Sequence, residues 1–237
     1  VNDSLKAVYQ DRAKLAANWI VNKIWAPLPG YPRFEVGTID TLGTLFLYGA
    51  YQYLDSQTRT LLVMDATKSL TGYNPSNYDG LTWVSQYENR VFYGADTLNG
   101  FSLVTFERKP DSMAIWSEGT LDYASAALVA FNDTASYDKF YNEIKEIQTP
   151  EGGVLHLVGN NPNLGWPYNY PYPSVASTSW FIFTGSRLNP FDVEQMTPVK
   201  EGPQPIPVKP GIIQSLDNYP NPFNNGTTIR YELNRVV

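Results

Sequence analysis

The sequence predicts an all-α fold, an α/α toroid, whole or in part. Two observations carry this expectation. Amphipathic helical runs alternate with runs that are apolar on all sides. Long aromatic loops follow some of the amphipathic ones. An outer ring of helices facing water and an inner ring facing both the outer ring and the central axis would produce this alternation.

Taken in order, residues 4–24 read as an amphipathic helix with Leu5, Val8, Tyr9, Ala13, Ala16, Trp19 and Ile20 on one face. Pro27 and Pro29-Gly30 end it. Residues 38–54, TIDTLGTLFLYGAYQYL, carry a single charge, Asp40, and read as a buried inner helix with that acid in its first turn. Residues 56–70 are again amphipathic, with Leu61, Leu62, Met64 and Leu70 set against Arg59, Asp65 and Lys68. Residues 71–95 are rich in turn residues. A third inner helix is expected over 96–108, starting at Asp96. Trp116-Ser117-Glu118-Gly119-Thr120 then opens the most apolar helix of all, which continues to Phe131, with Ser117 as its N-cap. An outer helix is expected from 134 to about 148, a short strand over 154–158, an aromatic loop over 159–173, and a last apolar helix ending at Gly185. Residues 192–214 form a Pro-rich linker, and 215–237 are a separate unit whose TTIRYEL alternates as a strand does.

Composition narrows the function. The chain has 237 residues, 43% of them hydrophobic, and a net charge of −6, so nucleic acid is not an expected partner. There is no cysteine and a single histidine. Disulfides, thiol catalysis and Cys/His zinc sites are excluded. No apolar run is long enough to span a membrane, and the opening VNDSLKAVYQ does not read as a signal peptide. Aspartate-rich cyclase motifs and phosphate-binding loops are absent, and no cofactor or metal is expected. Aromatic residues are unusually frequent: 17 Tyr and 6 Trp.

Aromatics on loops, with carboxylates at the ends of buried helices, suit sugar chemistry. Glycosidic bond cleavage uses two carboxyl groups, one to protonate the leaving oxygen and one as nucleophile or base. Glu118 is the candidate acid, because Trp116 beside it would desolvate it. Asp40 is the candidate base, with Asp96 as its substitute. The same acids would equally stabilise helix N-termini. Asp122 lies one turn after Glu118 and would tune it. Trp83, Tyr87, Trp116, Trp166, Tyr168, Tyr170 and Tyr172 are candidate sugar platforms, or loop anchors on the core. His156 sits in an apolar run and reads as structural.

Two resemblances extend this reading. Leu216, Asn218-Tyr219-Pro220-Asn221-Pro222-Phe223-Asn224, then Thr227, Ile229, Tyr231 and Leu233, resemble the opening of the C-terminal sorting domain of the type IX (Por) secretion system. That resemblance implies a β-sandwich start, export to the cell surface or medium, and the secretion machinery as a partner. Over residues 1–191, the order W-x-E-G-T, Q-x-x-x-G-G, A-S-T-S-W-F-I-F and N-P-F, with Ile39-Asp40-Thr41-Leu42-Gly43 before it, resembles the C-terminal half of six-hairpin glycosidase-like proteins. It implies a secreted glycoside hydrolase acting on a polysaccharide or oligosaccharide. The alternative is a glycan-binding or surface-structural protein on the same scaffold.

Overall fold

A computed structural model describes residues 3–30, 32–35, 37–41, 44–48, 53–103, 114–159, 172–192, 213–219 and 228–233. The chain divides into two compact units, Val1–Met196 and Thr197–Val237.

The architecture is mixed α and β, which overturns the all-α toroid. Helix α1 (Asp3–Trp19) runs into a π turn, Ile20–Ile24. Strands β1 (Trp25–Ala26) and β2 (Arg33–Phe34) pair antiparallel. So do β3 (Gly37–Thr41) and β4 (Thr44–Tyr48). Helix α2 (Leu54–Thr71) and the short α3 (Leu81–Ser85) follow. A third antiparallel pair joins β5 (Asn89–Tyr93) to β6 (Asp96–Gly100). Strand β7 (Ala114–Trp116), helices α4 (Ser117–Phe131) and α5 (Thr134–Lys145), and strand β8 (Leu157–Gly159) come next. Helix α6 (Val175–Gly185) is the last helix of this unit among the described residues. The second unit contains the antiparallel pair β9 (Ile213–Tyr219) and β10 (Thr228–Leu233).

The inner helix expected over 38–54 is a hairpin over 37–48, and the one expected over 96–108 begins as strand β6, paired with a strand from the stretch expected as loop, while 104–108 lie outside the described residues. Thr41 pairs with Thr44, and Asp40 lies in strand β3 opposite Leu45. Asp96 pairs with Tyr93 at the turn end of β5–β6. The reason is visible in the composition. Thr, Ile, Val, Phe and Tyr favour strands, and Gly94, at φ +61°, takes a left-handed turn conformation between β5 and β6. Apolar content does not separate a buried helix from a paired strand, so these segments read equally well as either.

Helix α4 is the axis of the first unit. It packs against α2, α5 and α6. Ala124, Ala126, Ala127 and Ala130 keep its surface small, which lets the neighbours approach closely. It ends at Asn132, in the left-handed conformation, whose N–H donates to the Leu128 carbonyl. Asp133 then caps α5 by accepting from the Ser136 N–H at 3.0 Å. Buried Tyr137, Phe140 and Ile144 form the inward stripe of α5. Strands β7 and β8 pair across this helical hairpin, Trp116 opposite Leu157. The start of α4 is thus fixed by residues that follow α5.

Two other features depart from expectation. Ser117 does not cap α4. Trp116 is the N-cap residue and makes no side-chain capping bond, while the Ser117 N–H donates to the His156 carbonyl at 3.1 Å. Helix α1 lies along α2 across an apolar groove walled by Ala13, Ala17, Ile20, Val63 and Met64. Leu5, Val8, Tyr9 and Trp19, expected on its inward face, are exposed.

Candidate functional site

The first turns of α2 and α4 open on one cleft. Asp55 lies in the first turn of α2 and Glu118 in the first turn of α4. Each carboxylate therefore sits at the positive end of a helix. Backbone hydrogen bonds bring the two ends together: the Leu54 N–H donates to the Leu103 carbonyl at 3.0 Å, and the Trp116 N–H to the Phe101 carbonyl at 2.8 Å. The cavity holds about 190 Å³ and is lined by Asp55, Arg59, Leu103, Trp116, Glu118, His156 and Leu157.

Helical spacing sets the polar pattern. Asp55 and Arg59 are four apart on α2, and Glu118 and Asp122 are four apart on α4, so each pair shares a helix face. Arg59 bridges the helices. Its Nη2 donates to Glu118 Oε1, and its Nε donates to Asp122 Oδ2 at 2.7 Å. Trp180 of α6 lies under the guanidinium, 5.4 Å from its carbon.

Burial then divides the carboxylates. The Glu118 side chain keeps some exposure, whereas that of Asp122 has none. Desolvation pushes Asp122 up to about 8, against the pull of Arg59. Burial alone would weaken the Arg59 charge, but Asp122 and Glu118 hold the guanidinium above its ordinary value. His156 is pushed below the usual imidazole range by burial, with Glu118 opposing, and is neutral at pH 7. Its backbone N–H donates to the Tyr172 carbonyl at 3.0 Å.

The structure brings Glu118, Asp122 and Trp116 together. Trp116 is a buried wall of the cleft, only 8% exposed. Asp96 is exposed on the β5–β6 hairpin, and Asp40 lies in the backbone of β3, so neither occupies a helix N-terminus. Trp83 is buried in the core, beneath Arg33 and tilted against Tyr87. Trp166, Tyr168 and Tyr170 lie outside the described residues. Tyr172 is 65% exposed.

Three polar residues of the cleft, Asp55, Arg59 and His156, were not expected there. Asp55 was legible as an acid one residue before the amphipathic run at 56. Arg59 reads in sequence as an ordinary solvated residue on a helix face, and His156 as a core residue. Nothing local in the sequence announces that they converge.

Among the described residues no group of His, Cys, Asp and Glu could hold a metal ion, and no helix is long and apolar enough to cross a membrane. Comparison of the chain with protein-family models, with curated proteins and with solved structures found no match.

Proposed function

We propose that the cleft between the N-terminal ends of α2 and α4 binds a glycan and hydrolyses it. The observation that supports this reading is the presence of two carboxylates from different helices, Asp55 and Glu118, in one cleft walled by Trp116. Hydrolysis of a glycosidic bond divides its work between two carboxyl groups in this way. Glu118, ion-paired with Arg59, supplies the negative charge that stabilises an oxocarbenium-like centre or activates water. Asp55 supplies the proton to the leaving oxygen, the role the sequence suggested for Glu118, while Glu118 takes the base or nucleophile role suggested for Asp40 and Asp96. Trp116 supplies an apolar wall to the cleft.

A second reading, glycan binding without cleavage, is favoured by a different observation. Arg59 already engages both Glu118 and Asp122, an arrangement that suits recognition of hydroxyl groups by a fixed polar cluster.

A polysaccharide panel assayed for reducing-sugar release separates the readings, using the native chain, Glu118→Gln and Asp55→Asn. Release that both variants lose supports hydrolysis. Retention on a polysaccharide without release, weakened by Glu118→Gln, supports binding. Neither release nor retention overturns both.

We also propose that residues 215–237 open a sorting element for the type IX route, which makes the protein secreted or surface-borne. The YPNPF segment supports this, as does the antiparallel pairing of β9 with β10. Equal release into the medium with and without residues 215–237, from a host that carries this secretion system, would overturn it.

A further inference from the structure

Asp122 is a costly residue in its place. It lies inside α4 with no exposure, among Leu121, Tyr123, Ala124 and Ala126, which are also buried. Its Oδ2 accepts from Arg59, and its Oδ1 has no hydrogen-bond partner among the described residues. A buried ion pair of this kind is replaced by apolar side chains with little or no loss of stability. Folding alone therefore gives weak reason for an acid here. What Asp122 does have is a path to the cleft: the guanidinium it holds also holds Glu118.

We propose that Asp122 is a positioning residue for Glu118. Acting through Arg59, it fixes how the Glu118 carboxylate is presented to the cleft and makes the charge around that carboxylate respond to proton uptake at Asp122. This role rests on the glycan-hydrolysis reading of the same cleft.

The physical basis is a shared cation. Arg59 uses two different nitrogens, Nε for Asp122 and Nη2 for Glu118, so a single rigid plane fixes both distances. When Asp122 is ionised, the two carboxylates divide the guanidinium charge between them. When Asp122 carries a proton, the whole charge faces Glu118. A change of charge at Asp122 is therefore felt at the Glu118 carboxylate.

The other groups that face them can be named. Helix α2 contributes Arg59 and Asp55, α4 contributes Glu118 itself, and the segment before β8 contributes His156. Helix α6, packed on the same side, contains no charged residue. The proton that Asp122 gains or loses is exchanged with water.

The test follows Glu118 directly. The full chain is labelled with carbon-13 at the glutamate carboxyls, and the Glu118 signal is assigned from its loss in Glu118→Gln. Its shift is recorded from acid pH to above pH 9 in the native chain, in Asp122→Asn and in Arg59→Gln. In the native chain the signal should show its own inflection and a second one near pH 8, where Asp122 ionises. Asp122→Asn should lose the second inflection and keep the first, while in Arg59→Gln the second should move to higher pH, because Asp122 loses its cation but still faces Glu118. A single inflection in the native chain would overturn the proposal, as would a second inflection that survives in Asp122→Asn or stays unmoved in Arg59→Gln. If Asp122→Asn does not fold, the native chain and Arg59→Gln decide the matter alone. If no glycan is released under any condition, the hydrolysis reading fails while the titration still gives its own answer. If release occurs, the alkaline limb of its pH profile should move in Asp122→Asn with KM unchanged.

Discussion

The Nε–H of Arg59 donates to Oδ2 of Asp122 at 2.7 Å, joining two residues 63 positions apart in the chain. Asp122 is wholly buried, while Arg59 keeps a third of its side chain in water. Loss of the cation strands a carboxyl group in the core. Arg59→Ala should lower stability by about 2–3 kcal/mol, below the full cost of breaking a buried pair because Asp122 can take up a proton. Arg59→Lys should recover only part of this, because an ammonium cannot reproduce the two-nitrogen geometry. Urea unfolding at pH 7 measures both; a loss under about half a kcal/mol for Arg59→Ala would show that the pair contributes nothing to stability.

Asp122 also predicts a pH dependence. Its folded value, about 8, lies above the ordinary aspartate value of 3.8. Between these limits the folded state holds a proton that the unfolded chain has released. The contribution of Asp122 to stability is therefore fully present at acid pH and declines as pH rises from about 4 to about 8, levelling off beyond. Asp133 works the other way. Its hydrogen bonds with Ser136 hold its carboxylate below the usual range, so its contribution is lost as pH falls. Urea midpoints across this range should fall less steeply in Asp122→Asn than in the native chain. Parallel curves would refute the assignment.

Gly119 sets a steric prediction. Alanine inside a helix is ordinarily favoured over glycine by about 1 kcal/mol. Here a Cβ at position 119 would run into the ring of Trp116 and come within 2.7 Å of Leu54 Cδ2. Both neighbours are buried, and Trp116 lines the cleft. Gly119→Ala should therefore destabilise by about 1–3 kcal/mol, against helix propensity. Thermal unfolding gives the sign at once.

Gln57 replaces a missing strand. Its side-chain oxygen accepts from the Phe34 N–H at 2.8 Å, and its nitrogen donates to the Phe34 carbonyl at 2.6 Å. Both residues are buried. Gln57→Ala leaves two buried backbone groups unsatisfied and should cost roughly 2–4 kcal/mol. Gln57→Glu should also be destabilising, since it removes the donor. Chemical denaturation of the two variants tests whether the amide, not the side-chain volume, is what matters.

Parts of this molecule were plain in its sequence. The helix from Ser117 to Phe131, the outer helix after it and the last apolar helix ending at Gly185 follow from their apolar patterns, although the expected Ser117 cap does not form. The hairpin at 37–48 did not, because its run of Thr, Ile, Leu, Phe and Tyr satisfies a buried helix and a paired strand alike, and the hairpin at 89–100 did not, because it joins a stretch that reads as loop to one that reads as the start of a helix. Gly43 and Gly94, each between two strand-forming runs, were the available signals. At the site, Glu118, Asp122 and Trp116 were legible because one helix start carries all three. Arg59 and Asp55 come from another helix, and His156 from beyond α5. Their meeting depends on tertiary packing that no local pattern encodes.

The pairing of β7 with β8 has a consequence for the order of assembly. Cleft residues run from Asp55 to Leu157, and the first peptide N–H of α4 is bonded to the carbonyl of His156. A ribosome delivers Arg59 and Glu118 well before it delivers that carbonyl. While the chain is being made, α4 can coil and α5 can fold back on it, but the entrance to the cleft has no fixed frame until β8 has emerged. A nascent chain arrested before residue 157 would carry both acids and the arginine without the enclosure that makes them a site.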